Sequence, residues 1–155
     1  MINFEKTSRV FNVDVFIDNL NKSKIVDVAK LPADQWRARS SNELSFGYTH
    51  KPIWLKISSE VFLAEDNIID LNFPQLDFVD LFIVNTQTGE MIDHQLSGDR
   101  QDLTKKIIRS ERIIFLVKKI NSPFSVYLRI QTDGSNQAPI SITGLEEYLG
   151  KTDLV

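Results

Sequence analysis

The stretch IWLKISS, Ile53–Ser59, alternates between aliphatic and mostly polar side chains along its length. Ile53, Leu55 and Ile57 occupy every second position, and Trp54 stands between the first two. Successive side chains of a β-strand point to opposite faces of the sheet, so this spacing is typical of a half-buried strand. We therefore predict a strand whose aliphatic face lies in a core and whose other face carries Trp54.

Short runs of the same kind recur along the chain and are separated by residues that favour turns. Pro74 ends one run, because proline cannot donate a hydrogen bond to a neighbouring strand. Asn85–Gly89 has the composition of a hairpin turn, and Asp133–Asn136 predicts a loop. The further strands predicted from these runs are Ile68–Phe73, Phe78–Val84, Met91–Leu96, Ile107–Ile108, Ile113–Val117, Ser125–Gln131 and Ile140–Thr143.

Four segments depart from simple alternation. Phe78–Val84 is apolar on both faces except at Asp80, which predicts a strand that is covered on both sides. Asn3–Phe16 is more weakly patterned and predicts either an edge strand or a lead-in from another domain. Lys24–Leu31 and Leu145–Leu149 predict short helices or turns.

The spacing of the predicted strands indicates the fold class. Strands that recur roughly every ten residues, with few helices between them, favour an antiparallel sandwich or barrel over parallel β-α-β units. The chain has 155 residues, which is the usual size of one domain. We predict a single all-β domain over residues 1–155, and the spacing leaves sandwich and barrel both open.

The composition is that of an ordinary folded domain, with 42% hydrophobic and 25% charged residues. A net charge of -3 provides no extended positive field, which argues against nucleic acid as a partner. Cysteine is absent, which excludes disulfides, thiol catalysis and cysteine-held metal sites. No apolar run has the roughly 18 residues of a membrane span, and Met1–Arg9 is too polar for a signal peptide. These features suit a cytoplasmic protein or a soluble part excised from a longer one.

Several short motifs, taken in their order along the chain, resemble a bacterial sensor module. The motifs are Leu31-Pro32, Phe46–Thr49, Trp54–Lys56, Leu76–Phe82, Gly98-Asp99, Tyr127–Ile130 and Ser135. The module is the second class of extracellular domain of seven-transmembrane receptors with diverse intracellular signalling modules. The resemblance covers about Phe16–Thr143. It departs from the family at Lys56, where arginine is frequent, and in an unusually polar segment after Asp99.

The resemblance implies a jelly-roll β-sandwich that is similar to carbohydrate-binding modules. It also implies a location in the periplasm, as the outer portion of an inner-membrane receptor. In such a receptor a membrane bundle and a cytoplasmic output, such as a diguanylate cyclase or a histidine kinase, follow the sensor. The expected role is therefore ligand sensing and not catalysis.

Aromatic and charged side chains share the non-core faces of two predicted strands. Trp54 and Lys56 lie on one of these faces, and Tyr127 and Arg129 lie on the other. If both faces belong to one sheet, the rings together with Asp80 suit a sugar or another small polar ligand. In the alternative interpretation, Trp54 and Tyr127 fill a second layer under loops, and Arg129 pairs with Asp80 inside the fold.

Two further segments carry candidate binding residues. Phe46–Thr49 is expected to form a loop at the edge of the sandwich, where Gly47 permits close approach of the backbone to a ligand, and it adds Tyr48 to the candidate ligand-binding residues. The alternative is that Gly47 marks a bulge or a turn. Trp36 lies among polar residues and is either an exposed stacking platform or a strand anchor.

A structural calcium ion is the one cofactor that the polar loops bring into consideration. Its oxygen ligands would come from Glu65–Asn67, from Asp99 with Asp102, or from Asp133–Asn136, although turn chemistry also explains such residues. The basic run Lys105–Arg112 predicts a solvated loop or a surface for anionic headgroups or an acidic partner.

Catalytic motifs are not evident in the sequence. His50 and His94 have neither the spacing of a metal site nor a neighbouring serine motif. Asp77 and Asp80 are three residues apart, which in a strand sends their carboxylates to opposite faces and argues against a glycosidase pair.

Three functions remain open at this point. The leading hypothesis is a periplasmic ligand-sensing domain of a bacterial transmembrane receptor. The second is a carbohydrate-binding module that tethers an enzyme to polysaccharide. The third is an interaction module, including a homodimer, in which exposed aromatic side chains meet another chain.

Overall fold

A computed structural model describes residues 9–20, 22–42, 44–48, 51–72, 78–97, 112–131, 135–137 and 140–152. The strands in these ranges are β1 (Asn12–Ile17), β2 (Arg37–Ser40), β3 (Ser45–Tyr48), β4 (Ile53–Ser58), β5 (Asn67–Asn72), β6 (Phe78–Asn85), β7 (Met91–Ser97), β8 (Arg112–Val117), β9 (Phe124–Gln131), β10 (Ser135–Gln137) and β11 (Ile140–Gly144). The helices are α1 (Ile25–Val28) and α2 (Leu145–Thr152), and single 3-10 turns span Ala33–Gln35 and Ser59–Val61.

The described strands form three antiparallel sheets. Six strands follow the order β2-β1-β4-β9-β6-β7, three follow the order β11-β5-β8, and β10 pairs with β3. The two larger sheets enclose a common core, so the fold is an all-β sandwich, as the sequence predicts. The jelly-roll topology that the resemblance implies stays a prediction.

The main core lies between the six-stranded and the three-stranded sheet. Leu128 of β9 lies opposite Leu55 of β4 on one side and Leu81 of β6 on the other, and directly opposed residues share a face. All three side chains are fully buried in one apolar cluster, which Ile69 and Phe115 of the facing sheet complete. The strand predicted from the aliphatic alternation of Ile53–Ser59 is therefore confirmed, because one face of β4 packs in this core.

The hairpin between β6 and β7 shows how the turn chemistry is used. The side-chain oxygen of Asn85 accepts hydrogen bonds from the backbone N–H groups of Gln87 and Thr88, at 2.8 and 3.0 Å. Gly89 donates its N–H to the Asn85 carbonyl and has a φ of 78°, a conformation that glycine adopts without steric cost. The hairpin predicted at Asn85–Gly89 is confirmed.

Two sequence expectations about β1 and β10 are wrong. The segment at Asn12–Ile17 is not an edge strand, because β2 pairs with its outer side and β4 with its inner side. Ser135 and Asn136 do not belong to a loop, because they pair with β3 as part of β10. Both β2 (Arg37–Ser40) and β10 are short and polar, so backbone hydrogen bonding defines them and side-chain alternation does not.

Some expectations concern residues outside the described ranges. These are the predicted strand Ile107–Ile108, the carboxylates Asp77, Asp99, Asp102 and Asp133, the histidine His50, and most of the basic run Lys105–Arg112.

Candidate functional site

Five of the six candidate ligand-binding residues lie on one face of the six-stranded sheet. Lys56 of β4 is opposite Tyr127 of β9, and Trp54 of β4 is opposite Arg129 of β9. Arg129 is in turn opposite Asp80 of β6. Since opposed residues share a face, these residues form two adjacent rows on the side away from the main core, which we call the outer face. The condition that both predicted faces belong to one sheet is confirmed.

The two large rings of the outer face are buried. Trp54 is 1% exposed and Tyr127 is 4% exposed, whereas Lys56, Asp80 and Arg129 are partly exposed. The interpretation that Trp54 and Tyr127 fill a second layer is therefore confirmed. Asp80 and Arg129 are direct cross-strand neighbours, the arrangement that an ion pair between them requires.

Residues 22–36, which we call the cover segment, lie over these rings. Val28 of α1 is buried against Trp54, Phe82, Val84 and Tyr127 in a second apolar cluster, separate from the main core. The partly buried residues packed against this cluster are Phe16, Ile25, Ala29, Leu31 and Trp36. The spacing of Ile25, Val28 and Ala29 is that of one helical face, which explains how a single helical turn can present all three.

Hydrogen bonds to carboxylates and to the backbone fix the chain between the end of β1 and the start of the cover segment. The N–H of Asp18 donates to the carbonyl of Pro52 at 2.9 Å, and the buried Asp18 carboxylate accepts from the N–H of Ser23 at 2.8 Å. The Asp27 carboxylate accepts from the N–H of Lys24 at 3.1 Å, which satisfies a free donor at the beginning of α1. The cover is thus fixed at its entry by defined polar contacts.

Trp36 of the cover segment joins the rings of Phe16 and Tyr127 into an aromatic row. Phe16 lies 5.9 Å from Trp36 and Trp36 lies 6.2 Å from Tyr127, centroid to centroid. The Lys56 ammonium nitrogen lies 5.6 Å from the Trp36 centroid, in the range of a cation–π contact. Trp36 is therefore an anchor beside β2, and of the two predicted roles the anchor is confirmed.

A second pair of ring contacts extends towards the sheet edge. Trp54 and Phe82 are stacked with centroids 5.8 Å apart, and Phe82 and His94 are stacked at 4.4 Å. His94 lies on the solvent side of this stack and is exposed. His94 therefore makes an aromatic contact at the surface.

Two indole N–H groups, one in the cover segment and one on the outer face, have no hydrogen-bond acceptor among the described residues. They belong to Trp36 and Trp54, and both nitrogen atoms are buried. Buried polar groups are almost always hydrogen bonded in folded proteins. An acceptor that reached this aromatic cluster, such as a hydroxyl oxygen or a water molecule, would satisfy both donors.

Tyr48 does not belong to the outer face, and the loop expected at Phe46–Thr49 is wrong because Ser45–Tyr48 is a strand. It lies in β3, opposite Ser135 of β10, in the two-stranded sheet, and its side chain is outside the described part of the structure. Pairing between β3 and β10 passes from Gly47 directly to Ser45, so Phe46 is skipped. This irregularity confirms the predicted bulge beside Gly47.

The oxygen-rich segment Glu65–Asn67 makes turn contacts. The Asp66 carboxylate accepts from the N–H of Lys119 at 2.8 Å, and the Asn67 amide bonds to the backbone of Leu63 and Glu65. In the described ranges no three histidine, cysteine or acidic side chains converge in a group that could hold a metal ion.

Burial raises the pKa of the Tyr127 phenol above its ordinary value of about 10. An unfolded chain therefore ionises this group at a lower pH than the folded domain, and the stability that depends on the neutral phenol is lost as the pH rises above about 10. We expect the free energy of unfolding to fall more steeply between about pH 9.5 and 11 in the unmodified chain than in Tyr127→Phe. Urea titrations at several pH values measure this difference, and equal slopes would contradict a buried phenol.

A family model described as 7TMR-DISM extracellular 2 matches residues 12–143. The chain belongs to this family. The match runs from the first residue of β1 into β11, so it covers the sandwich and ends before α2. A search of curated proteins found no match to the chain.

Membership of the 7TMR-DISM extracellular 2 family identifies the chain as an extracellular or periplasmic sensor domain of a membrane receptor. Among the described residues, no helix is both long enough and apolar enough to cross a membrane. The predicted family is therefore confirmed, with a boundary four residues earlier than the Phe16 expected from the motifs.

Sequence reasoning missed part of the outer-face cluster. Phe82 and Val28 contribute to it, and neither was among the candidate site residues. For Phe82 a signal existed, since Phe78–Val84 is apolar on both faces and so needs a covering layer on each. No local signal indicated that Val28 covers Trp54, because the contact joins positions far apart in the chain.

Proposed function

We propose that this sensor domain binds a small polar ligand, such as a carbohydrate, at the border between the outer face and the cover segment. The observation that carries the proposal is the pair of buried indole N–H groups without an acceptor, at Trp36 and Trp54. Sugar hydroxyls accept hydrogen bonds from such donors, and sugar rings stack on aromatic side chains. Lys56, Asp80 and Arg129 supply the charged groups that would fix the orientation of the ligand.

The cover segment is the element through which such a ligand would act. Trp54 is 1% exposed, so a ligand that reaches its indole nitrogen has to displace part of residues 22–36. A ligand shifts the balance between a closed and an open cover only by the difference in its affinity for the two states. Binding at this border would thus be read out as a change in the position of α1.

Thermal denaturation in the presence of defined sugars tests the proposal. The probes are glucose, galactose, N-acetylglucosamine and their disaccharides, each titrated against the unmodified chain. A sugar at about 100 times its Kd is expected to stabilise the fold by about 2.7 kcal/mol. Lys56→Gln and Arg129→Gln are expected to remove the shift, each measured against its own unliganded Tm.

The control is Glu147→Gln, which also removes one charge, at an exposed position of α2 that is not on the six-stranded sheet. It should retain the full shift. A shift that all three variants retain would place the binding site elsewhere, and the absence of a shift with every sugar would rule out a carbohydrate ligand.

A second candidate function, homodimerisation, is favoured by the edge strand β7. Met91, Ile92 and Leu96 are exposed on this strand, and the described part of the six-stranded sheet ends there. Exposed apolar side chains on an unpaired edge favour pairing with another chain. A flat response to sugars together with dimers that form with increasing protein concentration, measured by sedimentation velocity, would support this second function over the first.

A further inference from the structure

A cavity of about 370 Å³ opens at one end of the sandwich, between the loop that follows β4 and the loop that follows β8. We call it the end cavity. Its apolar side contains Phe62 and Phe124, whose ring centroids are 5.5 Å apart. Its polar lining includes Lys118, Lys119 and Glu65. The volume lies within the range of about 300–1,000 Å³ that is typical of small-molecule sites.

The charges that line the end cavity favour an anion. Lys118 and Lys119 are exposed, and neither forms an ion pair with a carboxylate of the described residues. The one acidic lining residue, Glu65, lies against Gly144, where an added methyl group would overlap its carboxylate. Two ammonium groups without a carboxylate partner, next to an aromatic pair, suit a carboxylate with a short apolar tail.

The wall of the cavity that precedes β5 is held in a defined shape. Asn67 is buried, and its side-chain oxygen accepts from the N–H of Leu63 at 3.2 Å. Its side-chain amide donates to the carbonyls of Leu63 and Glu65, at 3.1 and 2.8 Å. A preformed wall lowers the ordering cost of binding, because the loop does not have to be immobilised by the ligand.

Asp66 links the loop that follows β8 to the last helix through two hydrogen bonds. Its carboxylate accepts from the N–H of Lys119 in one wall, at 2.8 Å. Its backbone carbonyl accepts from the N–H of Leu145, the first residue of α2, also at 2.8 Å. A displacement of Lys119 therefore reaches α2 through a single residue.

We propose that the end cavity binds a small carboxylate with a short apolar tail, and that its occupancy is transmitted to α2 through Asp66. Lys118 and Lys119 hold the carboxylate, and Phe62 and Phe124 contact the tail. The inference does not rest on the proposed carbohydrate site, which lies on the outer face of the six-stranded sheet.

Titration of the ¹⁵N-labelled chain with sodium benzoate, at constant ionic strength, tests the proposal. Saturable shifts are expected at the backbone amides of Asn121 and Ser122, and a smaller shift with the same midpoint is expected at Leu145. Benzamide, which has the same shape without the charge, is expected to bind at least about tenfold more weakly, as the loss of one charge-assisted contact predicts.

Variants separate this cavity from the outer face. Lys118→Gln and the double variant Lys118→Gln/Lys119→Gln change exposed side chains and retain the backbone bond from Lys119 to Asp66. They are expected to weaken benzoate binding at least about tenfold, whereas Lys56→Gln on the outer face leaves it unchanged.

Three outcomes would overturn the inference. Equal affinities for benzoate and benzamide would remove the anion preference, and a loss of binding in Lys56→Gln would move the site to the outer face. Binding without any response at Leu145 would refute the transmission to α2. None of these results depends on whether the chain binds sugars, so the two proposals fail separately.

Discussion

Replacement of Leu128 by alanine is expected to lower the free energy of unfolding by about 2–5 kcal/mol. Leu128 is 0% exposed, and it lies between Leu55 and Leu81 in the middle of the six-stranded sheet. The side chains on both flanks belong to strands held by pairing on two sides, so they cannot collapse into the space that is left. Urea denaturation followed by circular dichroism measures the loss.

The matched control is Leu20→Ala, since Leu20 is 74% exposed. Removal of the same atoms from this surface position is expected to change the free energy of unfolding by less than about 0.5 kcal/mol. Similar losses in the two variants would contradict the placement of Leu128 in the main core.

Replacement of Trp54 by alanine is expected to cost about 3–5 kcal/mol, although Trp54 faces away from the main core. Its ring stacks on Phe82 and is covered by Val28, so truncation leaves a cavity between the sheet and the cover segment. The loss is measured by urea denaturation of the variant against the unmodified chain. A cost below about 1 kcal/mol would mean that the cover segment does not pack on the outer face in solution.

Trp54→Phe distinguishes packing from hydrogen bonding at the same position. It retains an aromatic ring and removes an N–H that has no acceptor among the described residues. We expect a smaller loss than with alanine, because no hydrogen bond is broken. A loss as large as that of alanine would indicate an acceptor on the indole nitrogen, whose removal costs about 1–3 kcal/mol when a buried group is left unpaired.

The outcome for Trp54 also decides how ligand binding is tested. An alanine at this position removes stability and any ligand contact together, so its effect on binding has no single cause. Lys56 and Arg129 are partly exposed and contribute less to the buried cluster, which makes them the informative positions. Ligand binding is therefore tested with variants of Lys56 and Arg129 and not with a variant of Trp54.

Much of the fold was predictable because the side chains of the longer strands report their own environment. β4, β9 and β11 bury one aliphatic face each, and period-two alternation marks all three. β2, β3 and β10 were missed because none of them carries an alternating aliphatic pattern, and pairing partners distant in the chain define them. The same lack of long-range information made β1 look like an edge strand.

The candidate site was predictable in part. Alternation placed Trp54 with Lys56, and Tyr127 with Arg129, on the non-core sides of their strands. That the two pairs become neighbours depends on the register between β4 and β9, which hydrogen bonding along the whole sheet sets. The exposure of the Trp54 and Tyr127 rings depends on the cover segment. The sequences of β4 and β9 do not indicate where that segment packs.

The stretch Ile53–Ser59 by itself determined a strand with one face in a core, because a period of two in side-chain polarity has one low-energy arrangement in water. The ordered motifs of the chain likewise determined its family, since they require only local sequence. Tertiary structure alone decided that Trp54, on the second face of this strand, is also buried. Trp54 is covered by residues 22–36, and a contact between distant segments forms only when the assembled sheet offers an apolar surface large enough to hold them.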